Sequence, residues 1–305
     1  MFKRGIRYLK YLLAQLYQRI EEWGTDSLGP AGSFTLIITN DPDHGRTKDY
    51  ARVFKELNRV GIKVTTSVFC TLEDDGSDLA RHCFKGETHT LADPAYRELM
   101  LQLHEQGHEI AFHGYSQVSN TREKFIEGLE TFKETFGHYP FTYIEHGGHP
   151  GKHPLSMCKR ESLAMEGMNP ESPYYVWDII REKIGCVWAY HDLLDNDYSV
   201  KQVADLFYQR DGVLLFRRWR LHYLDRMLKD LASRNGVFIG YTHFGYKGYP
   251  KEPMYCLENW TFLRMAIKRL ERILERHNVT NLTVQEFVRA HFPSYKKELS
   301  RRITP

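Results

Sequence analysis

Carboxylate and imidazole side chains follow apolar segments at several points in the chain. The first cluster, Asn40-Asp41-Pro42-Asp43-His44-Gly45, comes directly after the apolar, β-branched run Phe34–Thr39. Two carboxylates two residues apart are useful together when one binds a cation and the other acts as a base. The same residue types also favour an Asx-type turn, which is the alternative interpretation of this cluster.

Histidines end two further apolar runs. His113 closes Glu109–His113, and His243 follows Val237–Tyr241. A lone histidine is usually structural, but one at the end of a strand can bring an imidazole to groups that end neighbouring strands. We therefore predict that His113 stands beside the carboxylates and that His243 is a candidate general acid.

A third cluster is rich in both histidine and glycine. The segment Glu145-His146-Gly147-Gly148-His149-Pro150-Gly151-Lys152-His153 has three histidines within eight residues. Glycine lets the backbone come close to a ligand, so the segment could line a site. A flexible surface loop is the alternative.

The clusters fall within a regular alternation of predicted strands and helices. The predicted strands are Phe34–Thr39, Lys63–Cys70, Glu109–His113, Phe141–Glu145, Cys186–Tyr190, Val213–Phe216 and Val237–Tyr241. The predicted helices are Lys48–Arg59, Pro94–Gln106, a segment from Thr121 to Phe136, Val200–Gln209, Leu221–Ser233 and Glu258–His277, with a long loop at Glu73–Leu91. Strand-helix units in series predict a parallel α/β sheet with outer helices, and about seven units favour a distorted (β/α) barrel. Reactive groups in such barrels stand at the carboxyl ends of the strands.

The first 32 residues form a separate segment in this interpretation. Residues 2–23 have apolar residues at helical spacing and a basic start, which predicts an amphipathic helix. This helix could pack on the barrel or on a partner, or contact an anionic membrane surface. Residues 24–32 read as a linker, and residues 33–305 as one barrel domain.

The composition narrows the class of protein. The chain has 305 residues, 42% of them hydrophobic, and a net charge of +3, which is too small to indicate nucleic-acid binding. Its five scattered cysteines fit reduced thiols in a cytoplasmic protein. No signal peptide and no phosphate-binding loop is recognisable. The basic segment Arg217-Arg218-Trp219-Arg220 is predicted to form a solvated face.

The order of these motifs resembles that of the NodB-type polysaccharide deacetylases, carbohydrate esterase family 4. The resemblance covers about Ser33 to Phe292 and rests on four features. They are Asp-x-Asp after a strand, the sequence GHEI-x-x-HGYS at residues 107–116, a Gly-rich loop, and an apolar strand ending in histidine. It implies the distorted barrel of that family, preceded here by an N-terminal helical extension.

The resemblance also implies roles for individual residues. Asp41 would be the general base, Asp43 and His113 metal ligands, and His243 the general acid. A divalent ion, zinc above all, would activate water and the substrate carbonyl. Residues that would contact the substrate are Tyr115, Glu145, His149, Trp188 and Tyr241; Trp188 is similar in position to an aromatic residue lining the acyl pocket.

Two departures from the family pattern concern the metal site. The second histidine of the family motif is replaced by Gln117, whose amide is a poor zinc ligand. The arginine expected in the third motif is also missing, and Glu145 and His146 stand there. The third ligand could then be Gln117 or a histidine of the 145–153 loop, His146 or His149, or the site could have lost its metal.

The resemblance therefore predicts a metal-dependent amide hydrolase, a deacetylase or deformylase of an N-acylated amino sugar. A lipid- or nucleotide-linked sugar precursor would suit a cytoplasmic or membrane-peripheral protein. A deacetylase-like barrel that only binds carbohydrate is one alternative, and a hydrolase of small ureide-like amides is another. A homo-oligomer is compatible with all three.

Overall fold

The structure, a computed structural model, describes residues 28–43, 45–83, 88–244 and 260–293. The predicted amphipathic helix at residues 2–23 and residues 24–27 of the predicted linker lie outside the described residues. Within these ranges, no helix combines the length and the apolar character needed to cross a membrane.

Strands and helices alternate through most of the described chain. The strands are β1 (Ser33–Asn40), β2 (Thr65–Phe69), β3 (Glu109–Gly114), β4 (Thr142–Ile144), β5 (Cys186–Trp188), β6 (Phe207–Arg210), β7 (Val213–Phe216), β8 (Trp219–Arg220), β9 (Val237–Thr242) and β10 (Asn278–Asn281). The α-helices are α1 (Thr47–Arg59), α2 (Asp78–Cys83), α3 (Pro94–Glu105), α4 (Arg122–Phe136), α5 (Trp177–Lys183), α6 (Val203–Leu206), α7 (Leu224–Arg234), α8 (Trp260–Arg276) and α9 (Val284–His291).

The strands form one sheet in the order β6-β7-β5-β4-β3-β2-β1-β9-β8, and β10 pairs with the start of β1. All neighbouring pairs are parallel except the β6–β7 hairpin. The sheet curls into a half-barrel with helices packed on it. The predicted distorted (β/α) barrel is therefore confirmed.

Strand β1 occupies the middle of the sheet and is buried on both faces. Leu36, Ile37 and Ile38 are at most 1% exposed, as expected for a parallel strand covered on both sides. At its carboxyl end the backbone N–H of Asp41 donates to the carbonyl of Thr242 at 2.9 Å. The ends of β1 and β9 are therefore joined, which brings the segments that follow them together.

One predicted helix is wrong. Val200–Gln209 contains only the single turn α6, and the chain then enters β6, which pairs antiparallel with β7. The two strands are joined by Asp211 and Gly212, which have φ angles of 48° and 81°. Positive φ at both positions is what a two-residue hairpin turn requires, and Asp-Gly is a strong signal for it. The Glu73–Leu91 loop also contains the short helix α2.

The segment Arg217-Arg218-Trp219-Arg220 is not a solvated face. Arg218 and Trp219 are completely buried, and only Arg217 and Arg220 reach the surface. The segment continues from β7 into the edge strand β8, where Trp219 pairs with Gly240 of β9.

Candidate metal centre

Four side chains that could hold a metal ion meet at the carboxyl ends of the strands. They are Asp41, Asp43, His113 and His146, each buried, with one ligand atom from each within 4.8 Å of all the others. The two carboxylates follow β1, while His113 lies in β3 and His146 follows β4. It is the only such group in the part of the chain that the structure describes.

Asn40 fixes the backbone that carries the two carboxylates. Its side-chain amide donates to the hydroxyls of Tyr50 and Thr66, both at 2.8 Å, and its amide oxygen accepts from the N–H of Phe244 at 2.7 Å. The amide is thus bound to three different elements. The turn that follows is closed by the N–H of Asp43, which donates to Oδ1 of Asp41 at 3.2 Å.

The hydrogen bonds of Ser67 determine the tautomer of His113. The Ser67 hydroxyl donates its one proton to the carbonyl of Asn40 at 2.9 Å and lies 3.2 Å from Nδ1 of His113. Nδ1 must then carry the proton in this contact, which leaves the lone pair on Nε2. This Nε2 is buried without a hydrogen-bond partner, and it lies 3.2 Å from Oδ1 of Asp41.

The second imidazole comes from the Gly-rich loop. Nδ1 of His146 lies 3.2 Å from Oδ1 of Asp43. The next residue, Gly147, has a φ of 94°, and a Cβ atom there would come within 3.0 Å of the Lys159 side chain. Glycine is therefore needed for both the backbone conformation and the close contact. The alternative of a surface loop is wrong for Glu145 and His146, which are both buried.

Lys159 joins the loops that follow both histidines. Its ammonium group donates to the carbonyl of Ser116 at 2.8 Å and to Oδ1 of Asn120 at 3.2 Å. It also pairs with Glu161 at 2.7 Å, and both side chains are only 1% exposed. Its stem packs against Gly147. The buried Lys159–Glu161 pair thus fixes the loops that follow His113 and His146 relative to each other.

Both carboxylates of the group are ionised at neutral pH. Burial alone would raise the pKa of Asp41, but the positive charge that His113 and His243 carry when protonated outweighs it and brings this pKa to about 2. Burial acts on Asp43 in the same way, and His146 brings its pKa well below the usual range. Burial lowers the pKa of His113, which favours the neutral ring.

His243 lies at the open side of the group. Its Nε2 is 3.6 Å from Oδ2 of Asp41, and its side chain is 27% exposed, far more than any member of the group. It follows the end of β9, which the backbone bond from Asp41 to Thr242 holds against β1. A partly exposed imidazole here can exchange protons with a bound molecule and with solvent.

Gln117 is bound elsewhere. Its amide oxygen accepts from the backbone N–H of Glu73 at 3.1 Å, and its amide nitrogen donates to the carbonyl of the same residue. The Gln117 side chain therefore holds the backbone of Glu73, in the loop before α2, in place. These contacts do not favour Gln117 as a metal ligand.

Three residues predicted to contact the substrate have other partners. The hydroxyl of Tyr115 donates to Glu127 on α4 at 3.0 Å. The buried carboxylate of Glu145 accepts from the backbone N–H groups of Leu163 at 2.6 Å and Tyr190 at 3.0 Å. Burial raises the pKa of this carboxyl to about 7. His149 is partly buried and lies outside the four-residue group, with its ring 5.8 Å from that of His191.

Trp188 and Tyr241 form a stack with Arg218 that the sequence did not predict. The two rings are stacked at 6.2 Å, and the guanidinium carbon of Arg218 lies 3.3 Å from the Trp188 ring centroid and 4.4 Å from that of Tyr241. Nη1 of Arg218 donates to the hydroxyl of Thr39 at 2.6 Å. Arg218 is placed near the ends of β1, β5 and β9. Its position just after a buried strand was the available signal.

The donor set fits a divalent metal ion. Two ionised carboxylates and two imidazoles are the ligand types that zinc and similar ions take. A lone pair on Nε2 of His113 facing a carboxylate oxygen at 3.2 Å is repulsive unless a cation lies between or beside them. Ser67 supplies the supporting hydrogen bond that metal-binding histidines usually make.

Solved structures share this architecture. An allantoinase, PuuE, aligns with a TM-score of 0.50 at 10% identity, over 89% of this chain and 99% of its own. The chain has the same fold as this allantoinase. A probable polysaccharide deacetylase from Pseudomonas aeruginosa PAO1 aligns with a TM-score of 0.48 at 12% identity, over 85% and 91%. A family 4 acetyl xylan esterase from Clostridium thermocellum gives 0.41 at 14%, over 84% and 91%. No family model and no curated protein matches the sequence of this chain.

Proposed function

We propose that the chain is a metal-dependent hydrolase of carbon–nitrogen amide bonds, acting on an N-acylated amino sugar. One observation carries the proposal: two ionised carboxylates and two imidazoles, all buried, converge within 4.8 Å at the carboxyl ends of the strands. In β/α barrels this edge is where reactive groups stand. A buried group of this composition is costly without a cation to compensate it.

Asp43, His113 and His146 are the proposed metal ligands. They provide one carboxylate and two imidazoles, the same ligand types as a family site with two histidines in one motif. In this chain Gln117 stands where the family has its second histidine, and His146 from the β4 loop would supply that imidazole instead. Zinc suits this set, because it binds nitrogen and oxygen ligands in a site that keeps one position open.

Asp41 is the proposed general base. Its carboxylate is ionised, lies beside the ligands, and has His113 on Oδ1 and His243 near Oδ2. A divalent ion bound here would lower the pKa of water and polarise an amide carbonyl. Asp41 would take the proton of the attacking water, and Ser67 keeps the proton of His113 on Nδ1.

His243 is the proposed general acid. Cleavage of an amide requires a proton on the departing nitrogen. His243 is the most exposed imidazole beside Asp41, so it can reach a leaving amine on the open side of the group. After the reaction it can recover a proton through Asp41 or from solvent.

An amino-sugar precursor in the cytoplasm is the proposed substrate class, with an acetyl or formyl group as the acyl part. Lipid- or nucleotide-linked sugars fit a protein that works at or near a membrane surface through residues 2–23. A barrel that binds carbohydrate without catalysis is less well supported, because a degenerate site would not be expected to keep four converging ligand-type side chains.

Metal content and amine release test the proposal together. The protein is stripped with a chelator, reloaded with Zn²⁺, Co²⁺ or Mn²⁺, and assayed for amine release from N-acetyl and N-formyl amino sugars and from ureides. We expect about one ion per chain and release from the amino sugars only with metal. Failure to bind any divalent ion would refute the enzyme, and release from ureides alone would replace the substrate class.

Two variants separate the proposed roles. Asp43→Asn should lose metal, whereas Asp41→Asn should keep it and lose a factor of about 10²–10⁴ in turnover. Asp49→Asn is the matched control, because Asp49 on α1 is also buried but pairs with Arg46, just before that helix, at 2.6 Å. Unchanged turnover in Asp41→Asn would exclude Asp41 as the base.

A further inference from the structure

Arg218 carries a buried positive charge with no carboxylate within ion-pair distance among the described residues. Its guanidinium carbon lies 3.3 Å from the centroid of the Trp188 ring and 4.4 Å from that of Tyr241. The N–H bonds of a guanidinium lie in its plane, so hydrogen-bond partners have to approach along its edges. Burying a charge is costly unless it is paired and hydrogen-bonded, so this arrangement needs an anion.

One edge of the guanidinium is occupied and the other is not. Nη1 donates to Thr39, whose own hydroxyl donates to the carbonyl of Gly240 at 3.2 Å. Nε and Nη2 are buried and have no hydrogen-bond partner. These two nitrogens point their N–H bonds in the same direction along one edge, which is the geometry that binds both oxygens of a carboxylate.

The Nε–Nη2 edge of Arg218 lies near the proposed metal centre. Thr39, which anchors Nη1, is two residues before Asp41 on the same strand end. Asp41 is also the carboxylate whose charge acts most strongly on Arg218. The indole N–H of Trp188, beneath the guanidinium, is a further buried donor without a partner.

We propose that the Nε–Nη2 edge of Arg218 is a binding subsite for a small carboxylate beside the metal centre. A neutral carbonyl would use one N–H and leave the other buried and unpaired, which a carboxylate avoids. The carboxylate could be carried by the amide substrate or be the acid that amide hydrolysis releases. The subsite itself does not depend on the proposed function; only the question of whether the substrate or the released acid carries the carboxylate does.

Binding of acetate to the metal-free full-length protein tests the subsite directly. Without metal, acetate cannot bind as a metal ligand, so titration at constant ionic strength reports on Arg218. The readouts are tryptophan fluorescence, which Trp188 should make sensitive, and line broadening of ¹³C-labelled acetate. We expect saturable binding with a dissociation constant on the order of 1 mM.

Three variants make the result specific. Arg218→Met should weaken acetate binding at least tenfold, and Arg218→Lys should weaken it as well because a lysine keeps the charge but lacks the two-nitrogen edge. Arg217→Met is the matched control, since this neighbouring arginine is 43% exposed and should leave binding unchanged. Acetate binding that is absent, or equal in wild type and in whichever Arg218 variant folds, would overturn the subsite.

Paired substrates identify the source of the carboxylate in the metal-loaded protein. The pair consists of an N-acyl amine with a free carboxylate and its methyl ester. If the substrate carries the carboxylate, Arg218→Met should raise KM for the acid only. If the released acid is bound, the variant should weaken product inhibition by acetate instead. Absence of hydrolysis would refute the proposed function, but the acetate titration could still be interpreted. An Arg218 variant that changes neither KM for the acid nor product inhibition by acetate would count against the subsite.

Discussion

Nδ1 of His146 lies 3.2 Å from Oδ1 of Asp43, although the strands that precede them, β4 and β1, are separated in the sheet by β2 and β3. Two ends that far apart in a flat sheet could not meet, because neighbouring strands are about 4.8 Å apart. The curl of the half-barrel closes this distance. It allows the β4 loop to supply an imidazole next to carboxylates of the β1 turn.

This contact predicts that His146 matters for metal binding as much as His113 does. His146→Ala and His113→Ala should each lower Zn²⁺ affinity by about 100-fold or more, beyond the effect usual for a residue that only supports a ligand. Competition with a chromophoric chelator measures this. His153→Ala, in the same loop but exposed, should bind Zn²⁺ like the wild type. Equal affinity in His146→Ala and wild type would remove His146 from the site.

Crowding at Gly147 leads to a second prediction. Gly147 and Gly151 have nearly the same φ, 94° and 89°, but a Cβ atom at Gly147 would meet Lys159 at 3.0 Å, and at Gly151 it would meet nothing within 4 Å. Gly147→Ala and Gly151→Ala should therefore each lose about 1–2 kcal/mol of folding stability, because alanine is strained at this positive φ. Any excess loss in Gly147→Ala comes from displacing the His146 loop.

We expect Gly147→Ala to lower both the free energy of unfolding and the Zn²⁺ affinity more than Gly151→Ala does. Urea unfolding of the metal-free proteins and chelator competition provide the two measurements. If the two variants behave alike, the contact with Lys159 has no influence on the position of His146.

Much of the fold and part of the site could be predicted from the sequence. Asp41, Asp43 and His113 were recognisable because each closes or follows an apolar run, and strand ends converge in a barrel whatever the details of packing. The hairpin at Asp211-Gly212 was missed because Leu206 and Phe207 continue a helical spacing into β6. The turn dipeptide was a stronger signal than that spacing.

The remaining site residues depend on tertiary packing. The 145–153 loop offered several histidines, and only its folded path brings His146 rather than His149 to the carboxylates. Arg218 and Lys159 are long, charged residues of types that are rarely fully buried, so the position of Arg218 after a buried strand was only a weak signal, and Lys159 had none. The burial of each residue is explained only by partners that are distant in the sequence, such as Thr39 for Arg218.

The buried pair of Lys159 and Glu161 yields a third prediction, on stability. Both side chains are 1% exposed, so Lys159→Met leaves a carboxylate buried without its partner and should cost about 3–5 kcal/mol. Arg160→Met is the matched control. Arg160 pairs with Glu166 at 2.7 Å but is 50% exposed, and such pairs contribute about 0–1 kcal/mol. Urea unfolding compares the two, and equal losses would show that the Lys159 pair stabilises no more than a surface pair.

His108 should make the protein less stable in acid. Its Nδ1 accepts from the N–H of Val64 at 3.1 Å, so Nε2 carries the proton and donates to Oδ1 of Asn58 at 2.7 Å. Burial, with a smaller contribution from Lys63, lowers the pKa of His108 to about 4. The unfolded chain takes up this proton near pH 6.5. Between these values the unfolded state binds more protons, so stability falls as the pH decreases.

The stabilisation contributed by neutral His108 is complete above about pH 6.5 and is lost as the pH falls towards 4, by about 3 kcal/mol in total. His108→Gln keeps an acceptor and a donor but cannot take up a proton. Its free energy of unfolding should therefore fall less between pH 7 and 4.5 than that of the wild type. His153→Gln, at an exposed position, should follow the wild-type curve. Urea unfolding across this range gives the curves, and a His108→Gln curve parallel to the wild type would mean that protonation of His108 does not drive the loss.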